Sequence, residues 1–435
     1  MTIFRYGISH DEASVSLREQ VAFSGSQIPE ALASLAEIPE LLEAALLSTC
    51  NRTEFYAVAE SAEVAQESLA RFLARHRGLE ERFVASQFHG LADRDAVIHL
   101  LRVAAGLESQ ILGEGQILGQ VRDAAATART AGTLGPVLDA LFRQAVTTGK
   151  RVRTETPISQ GAVSVGAAAV ELARRELDTL TDRTVLVLGT GKIGEATIKH
   201  LVGQGVRKLL VSNRTLELAQ SLARDISCEA VPFHAVASAL GEADVVLCCT
   251  AAPHYVLEDS DLGPVLTARA GRPLVMVDIS VPRNIDPRIG GHAGVTLFDI
   301  DALSSLADQA RIERLKQAPA AEAIVADETE NFDGWQRSYQ AAPTIASLRG
   351  KLDAIRQGEL DRFFARHGDG LSPEQQEAVA RLTLAITNKF LHEPTVGLKA
   401  QTGAKREAHA LAIRDLFQLQ VPVRPAGGAP APAGT

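Results

Sequence analysis

Apolar and polar positions change period several times along the first 155 residues. Runs at Thr2–Ile8 and Phe55–Ala59 predict strands, and an apolar run from Leu41 to Leu47 precedes the second of them. Ser14–Ala22, Pro29–Ala36, Ala62–His76 and Arg94–Leu107 carry apolar residues at helical spacing. Strands separated by helices predict an α+β domain. Residues 120–153 read as wholly helical, with Val121, Ala125, Ala128, Leu138, Leu141, Phe142 and Ala145 at the apolar positions, and Pro157 marks a boundary.

From about residue 160 the pattern becomes strand–helix alternation. A helix over Ala162–Glu176 leads to strands at Thr184–Leu188, Lys208–Ser212, Glu229–Pro232, Ala243–Cys249, Leu274–Ile279 and Val295–Asp299. Short aliphatic cores of this kind predict a doubly wound parallel sheet. Strands then disappear. A long helix is expected over Ala302–Arg337, kinked or split at Pro319, followed by helices at Leu348–Arg366, Pro373–Leu391 and Ala404–Leu419. A helical module after a connecting helix often pairs two copies of a chain. The Pro-, Ala- and Gly-rich tail from Val421 to Thr435 reads as disordered.

Composition narrows the class. Apolar residues make up 46% and charged residues 22%, as in an ordinary globular protein. The four cysteines, at 50, 228, 248 and 249, form no CxxC pair, so neither a disulfide framework nor a zinc site is expected. The N-terminal residues lack the pattern of a signal peptide, and no apolar run approaches the roughly 18 residues of a membrane span. A cytoplasmic protein with no membrane partner and no metal is expected. A net charge of −9 argues against a general nucleic-acid binder, but leaves room for a local basic face.

Chemistry concentrates in Ser48-Thr49-Cys50-Asn51-Arg52-Thr53-Glu54, between the apolar run and the second strand. Cys50 on a turn, with hydroxyl and amide neighbours and Arg52 two residues on, fits a thiolate nucleophile. A small buried Cys packing like alanine fits the same residues. A second motif, Gly189-Thr190-Gly191-Lys192-Ile193-Gly194, follows a strand and opens a helix, the setting of a dinucleotide-binding turn. The next strand ends in Ser212-Asn213-Arg214 rather than Asp or Glu. No carboxylate would there repel a 2′-phosphate, and Arg214 can pair with one, so NADPH is the expected cofactor. A thiolate and a hydride cofactor in one chain fit reduction through a thioester.

Together with Gly7–His10, Ala162–Val165, Val277–Arg283 and His392-Glu393-Pro394, the stretches Ser48–Glu54, His99–Ser109 and Ile111–Val121 resemble the glutamyl-tRNA reductase family from residue 7 to roughly 415. The resemblance implies an N-terminal α+β catalytic domain (1–156), a Rossmann-type NADP-binding domain (157–300), and a long helix with a helical dimerisation domain (301–420). It implies NADPH-dependent conversion of glutamyl-tRNA(Glu) to glutamate-1-semialdehyde, the first step of tetrapyrrole synthesis from glutamate. Cys50 matches the family nucleophile, and His99 its important histidine, a candidate acid or base. Thr49, Asn51, Arg52, Ser109, Glu114, Gly115, Gln116 and Gln120 match the substrate contacts, with Arg52 suited to a glutamyl carboxylate. His10 and Arg18 are weaker candidates for the same cleft. Taken alone, His99 on an apolar helix reads more readily as a satisfied core histidine. A homodimer is implied, and glutamate-1-semialdehyde aminomutase, which consumes the product, is a candidate partner.

Two features depart from that pattern. His10-Asp11-Glu12-Ala13-Ser14 lacks the proline usual after the histidine, which leaves the local turn open, and Pro319 interrupts the long helix. For tRNA, Arg349, Lys351, Arg356, Arg362 and Arg366 recur at roughly helical spacing, as a phosphate-facing stripe or as a solvated face. The dinucleotide motif alone would also suit an NADP-dependent dehydrogenase of a small hydroxy acid of the shikimate type, a reading that leaves Ser48–Glu54 without a role.

Overall fold

A computed structural model of the chain describes residues 1–110, 115–159, 165–269, 271–306, 318–400 and 403–420. Its contacts form two compact units, one ending at Thr329 and one beginning at Glu330. Glu114, residues 162–164, the stretch 307–317 of the expected long helix and the tail 421–435 lie outside the described residues.

The first unit opens with an antiparallel sheet of β1 (Thr2–Ser9), β2 (Leu41–Ser48), β3 (Arg52–Ala59) and β4 (His89–Ala92), in the order β2-β3-β1-β4. β3 begins three residues earlier than the apolar pattern indicates. The hairpin closes immediately, Thr49 N–H donating to Arg52 C=O at 2.8 Å, so Arg52, Thr53 and Glu54 belong to the strand. Gly7 pairs with Glu54 across β1, and a β-carbon there would stand 2.5 Å from the Thr53 carbonyl oxygen. β4 and the helix Glu81–Gln87 escape the sequence reading, because each is too short to display a period.

The stretch 120–153 expected to be wholly helical is two helices, Gln116–Thr130 and Pro136–Glu155, interrupted by a turn with Gly132 at φ 75°. Buried Glu43 on β2 satisfies the start of the second helix, accepting from Val137 N–H at 3.0 Å and Leu138 N–H at 2.6 Å.

Six parallel strands follow: β5 (Thr184–Leu188), β6 (Lys208–Asn213), β7 (Glu229–Pro232), β8 (Val245–Cys248), β9 (Leu274–Asp278) and β10 (Val295–Asp299). Their order, β10-β9-β8-β5-β6-β7, is the doubly wound arrangement with its crevice at the β5 end. Both faces are aliphatic. Val185, Val187, Val211, Leu247 and Val277 pack into one cluster, and Leu186, Leu188, Leu210, Val246 and Met276 into the other. Each such side chain contributes about 1.5–3 kcal/mol when fully buried.

The expected long helix is corrected in two respects. Ile300–Leu306 is 3-10 helix, and the described part of the long helix runs unbroken from Ala318 past Arg337 to His367. Pro319 is the second residue of this described stretch, and the break expected there falls against 307–317, which lie outside the described residues. The interior proline is Pro343. Burial of Ala341, Thr344 and Leu348 on one side of that region is the kind of packing that overrides a local helix penalty of about 3 kcal/mol. Pro373–Ala400 likewise continues through Pro394, and Gly403–Leu416 is the last helix described. Three of the five cations of the expected basic stripe are held by neighbours: Lys351 donates to Phe417 C=O, Arg356 pairs with Asp353 and Arg362 with Glu359. No helix among the described residues is long and apolar enough to cross a membrane.

Candidate active site

Thr49, Cys50 and Asn51 are the residues of the β2–β3 hairpin that lie outside its strands. Thr49 Oγ1 accepts from Asn51 N–H at 3.2 Å and tightens the turn from inside. Arg18, on the short helix Val15–Val21, is only 2% exposed and supports the turn from below. Its Nη1 donates to Cys50 C=O at 2.6 Å and to Asn51 Oδ1 at 3.5 Å, while Nη2 pairs with Asp301, just beyond β10. Cys50 is half-buried and packs against the apolar cluster on one face of the parallel sheet, to which Val15, Ile279 and Ile300 also belong. The thiol thus stands where the antiparallel and parallel sheets meet.

A small pocket opens at this turn, lined by Thr49, Cys50, Asn51, Arg52, Ser109, Gln116, Ile117 and Gln120. The structure therefore brings together seven of the residues singled out from sequence. Gly115 stands at the start of the helix Gln116–Thr130, where its carbonyl accepts from Arg153 at 3.4 Å. His99 is not among the lining residues; it faces the sheet interior instead.

That interior holds a feature missed from sequence. Arg52, Glu54 and Tyr56 fall on one face of β3 by strand alternation, and Arg5 on β1 lies opposite Tyr56. Glu54 is fully buried. Its Oε1 accepts from Arg5 Nη2 at 2.8 Å and Arg52 Nη1 at 2.9 Å and meets His99 Nε2 at 2.8 Å, while Oε2 accepts from the Tyr56 hydroxyl at 2.7 Å. Burial pushes the Glu54 carboxyl pKa up, but Arg52, His99 and Arg5 outweigh it and hold the group well below the usual carboxylate range. An ionised carboxylate only accepts, so His99 carries a proton on Nε2 and keeps Nδ1 for another partner. Burial and the Glu54 charge push the Tyr56 hydroxyl well above its ordinary pKa. Arg52 spends Nη1 on Glu54 and Nη2 on the Glu108 carbonyl, so its guanidinium is held rigidly as it borders the pocket. The one local trace of it in the sequence is a carboxylate two residues after an arginine at the head of an apolar strand, which without the partners from β1 and the helix that bears His99 does not reveal burial.

His10, at the end of β1, is a further polar group nearby. Its Nδ1 is buried without a hydrogen-bond partner among the described residues. Burial lowers its pKa, and Arg52 and Arg18 lower it further against Asp11 and Asp301.

The second half of the site lies at the C-terminal ends of the parallel strands. A β-carbon at Gly189, whose φ is 106°, would stand 2.6 Å from the Cys249 carbonyl oxygen, and one at Gly194 would stand 2.1 Å from that of Gly189. At Gly191 nothing lies within 4 Å, so a ligand can approach the main chain there. Thr190 Oγ1 accepts from Asn213 Nδ2 at 2.6 Å, and Ser212 Oγ is buried without a partner among the described residues. The adjoining pocket is lined by Gly189, Ser212, Asn213, Arg214, Thr250–His254 and, from the first domain, Ser24 and Ser26. No carboxylate is among the lining residues, so this donor set fits a phosphorylated dinucleotide. Lys192 and Ile193 begin the helix Lys192–Leu201. Lys192 reaches Asp123 at 3.4 Å, and Ile193 packs on the same apolar cluster as Cys50.

Fully buried Asn284 holds the 250–254 loop, donating to Ala252 C=O at 2.9 Å and His254 C=O at 3.0 Å. Asp278 in turn accepts from the N–H groups of Ser280, Asn284 and Ile285. Burial raises the Asp278 pKa to about 6 against those donors. Burial also raises Cys249 to about 12 and Cys248 well above the usual thiol range, so neither competes with Cys50 as a nucleophile.

A dinucleotide crevice and a thiol-bearing pocket in one compact unit are the parts of an oxidoreductase. The comparisons name the branch. The profile of the "Glutamyl-tRNAGlu reductase, N-terminal domain" matches residues 6–156, that of "Shikimate / quinate 5-dehydrogenase" residues 171–306, and that of the "Glutamyl-tRNAGlu reductase, dimerisation domain" residues 320–419. The chain is 42% identical to a glutamyl-tRNA reductase of Pelotomaculum thermopropionicum over 100% of its own length and 98% of that protein. It is 39% identical to one from Synechococcus sp., over 96% of this chain and 97% of that protein. Among solved structures it is similar to glutamyl-tRNA reductase from Methanopyrus kandleri, with 34% identity, a TM-score of 0.53, and coverage of 96% and 98%. The chain belongs to the glutamyl-tRNA reductase family.

Proposed function

We propose that the protein reduces glutamyl-tRNA(Glu) to glutamate-1-semialdehyde with NADPH, through a thioester on Cys50, as the entry step to tetrapyrroles. The observation that carries this reading is the pocket in which Cys50 meets Thr49, Asn51, Arg52, Ser109, Gln116 and Gln120, at a turn packed against the dinucleotide domain. The Cys50 thiolate attacks the ester carbonyl carbon, the bond from that carbon to the ribose oxygen breaks, and the oxygen leaves protonated with the tRNA. When bound, NADPH supplies a hydride equivalent to the thioester carbon; the C–S bond then breaks, restoring the thiolate and releasing the aldehyde. Arg52 and Ser109 orient the glutamyl group, and Glu54 fixes both Arg52 at the pocket and His99, the candidate acid or base, behind it. Gly189–Gly194 cradle the pyrophosphate, and Ser212, Asn213 and Arg214 receive the ribose and its 2′-phosphate.

Residues 1–156 carry the substrate chemistry, 157–300 the cofactor and 301–420 the pairing of two copies. A homodimer is supported by the apolar side chains that the helical unit exposes, with Phe390 73%, Leu382 61% and Ile355 52% accessible. The aminomutase that consumes the aldehyde remains a candidate partner on the chemistry of an unstable product. NADPH consumption assayed with glutamyl-tRNA, with uncharged tRNA and with free hydroxy acids tests the reaction. Turnover is expected with the first alone, and turnover of hydroxy acids instead would favour the shikimate-type alternative.

A further inference from the structure

The short helix Val15–Val21 touches both halves of the site through adjacent residues. Arg18 holds the Cys50 carbonyl with one arm and Asp301 with the other. Asp301 Oδ2 also accepts from Val15 N–H at 3.2 Å, tying the start of the helix to the segment after β10. One residue on, Glu19 accepts from both the N–H and Nε of Arg283, in the loop whose neighbour Asn284 shapes the dinucleotide pocket. Arg18 is buried while the Asp301 side chain is 41% exposed, so the carboxylate arm is the one that can change with little loss of core. A guanidinium bridging two groups at fixed angles transmits position more stiffly than a single contact would.

We propose that Arg18 is a positioning residue which, through Asp301, registers the Cys50 turn against the dinucleotide domain, so that an acyl group on Cys50 is presented for reduction. Neither residue touches the reacting atoms; both act through the main chain of Cys50. The inference rests on the thioester reaction proposed above. It divides the two half-reactions. Acylation needs the thiolate and its pocket, whereas hydride transfer needs the two domains in register and is sensitive to displacements of an ångström.

The test measures the two steps separately in the full-length protein. Excess protein is mixed with glutamyl-tRNA in the absence of NADPH, and release of free tRNA reports acylation; NADPH is then added, and aldehyde formation reports reduction. In Asp301→Asn, tRNA release is expected within about threefold of the unaltered protein, while the reduction step slows by about tenfold or more. The NADPH dissociation constant is expected to stay unchanged. Arg18→Lys, which keeps the charge but loses the fork, is expected to slow reduction at least as much. Reduction at the unaltered rate in Asp301→Asn overturns the coupling, and so does a parallel fall in both steps, which a merely structural role would give. Failure of the unaltered protein to release tRNA without NADPH overturns instead the thioester reaction on which the coupling rests.

Discussion

The two sheets of the first unit solve opposite problems. The parallel sheet is aliphatic on both faces and keeps its chemistry at the C-terminal ends of its strands, at Gly189–Gly194, Ser212–Arg214 and Thr250–His254. The antiparallel sheet carries Arg5, Arg52, Glu54 and Tyr56, which meet His99 of the helix Asp93–Ala104 on its buried face, and the turn that bears Cys50 leads directly from them. A diphosphate is recognised by main-chain N–H groups and needs space, so glycine suffices. A small amino-acyl group needs directed side chains, and directed side chains need a rigid frame. The buried ionic cluster is that frame.

The sharpest way to break the comparison is at Cys50. Cys50→Ser is expected to lower reduction of glutamyl-tRNA by at least about 10³-fold while NADPH binding is retained, read by cofactor fluorescence titration. Appreciable turnover in that variant would remove the covalent step.

Next in size is Glu54. Glu54→Ala leaves two buried guanidinium groups without their carboxylate and is expected to cost about 3–5 kcal/mol in denaturant unfolding. The pH dependence follows from the same group. Its folded-state pKa lies below the unfolded value of about 4.3, so its stabilisation is present above that pH and is lost as pH falls towards the folded value. The unaltered protein should therefore lose stability steeply below about pH 4, and Glu54→Gln should flatten that limb.

The parallel sheet breaks differently. Gly194→Ala drives a β-carbon into the Gly189 carbonyl, and a strain of about 1–3 kcal/mol should appear as weaker NADPH binding, with acylation of Cys50 retained. The smallest effect is expected at Arg214. Arg214→Gln should reduce the preference for NADPH over NADH by about tenfold, measured as a ratio of dissociation constants, with little change in unfolding. Loss of tRNA release in either glycine or arginine variant would dissolve the contrast between the sheets.

The parallel sheet was almost wholly legible in the sequence, since runs such as Thr184–Leu188 and Leu274–Asp278 are buried on both faces and bounded by glycine or polar turns. The turn at Cys50 was legible too, and the pocket gathers Ser109, Gln116 and Gln120 around it as the family resemblance implies. Glu54 was not, because a charged residue in a strand reads as solvent-facing until its partners from β1 and the helix Asp93–Ala104 are brought in. The roles of Arg18 and Asp301 were illegible for the same reason: 283 residues separate them, and no local period reports such a pair. The extent of the long helix was misjudged because the apolar pattern fades after Arg337 and Pro343 reads as a stop, whereas packing of Ala341, Thr344 and Leu348 carries the helix on to His367.

The burial of Val15 in the aliphatic cluster under the parallel sheet bears on how the protein can be dissected. By sequence Val15 and Arg18 belong to residues 1–156, yet a fragment ending there would carry Val15 into water and leave Arg18 without Asp301. Inactivity of such a fragment towards glutamyl-tRNA would report a slackened hairpin rather than missing chemistry. A cut after residue 329, where the first compact unit ends, keeps the helix, its carboxylate and the thiol-bearing turn in one piece, together with the Glu322 and Glu328 partners of Arg102 and Arg151, and is the smaller unit in which half-reactions can be compared fairly.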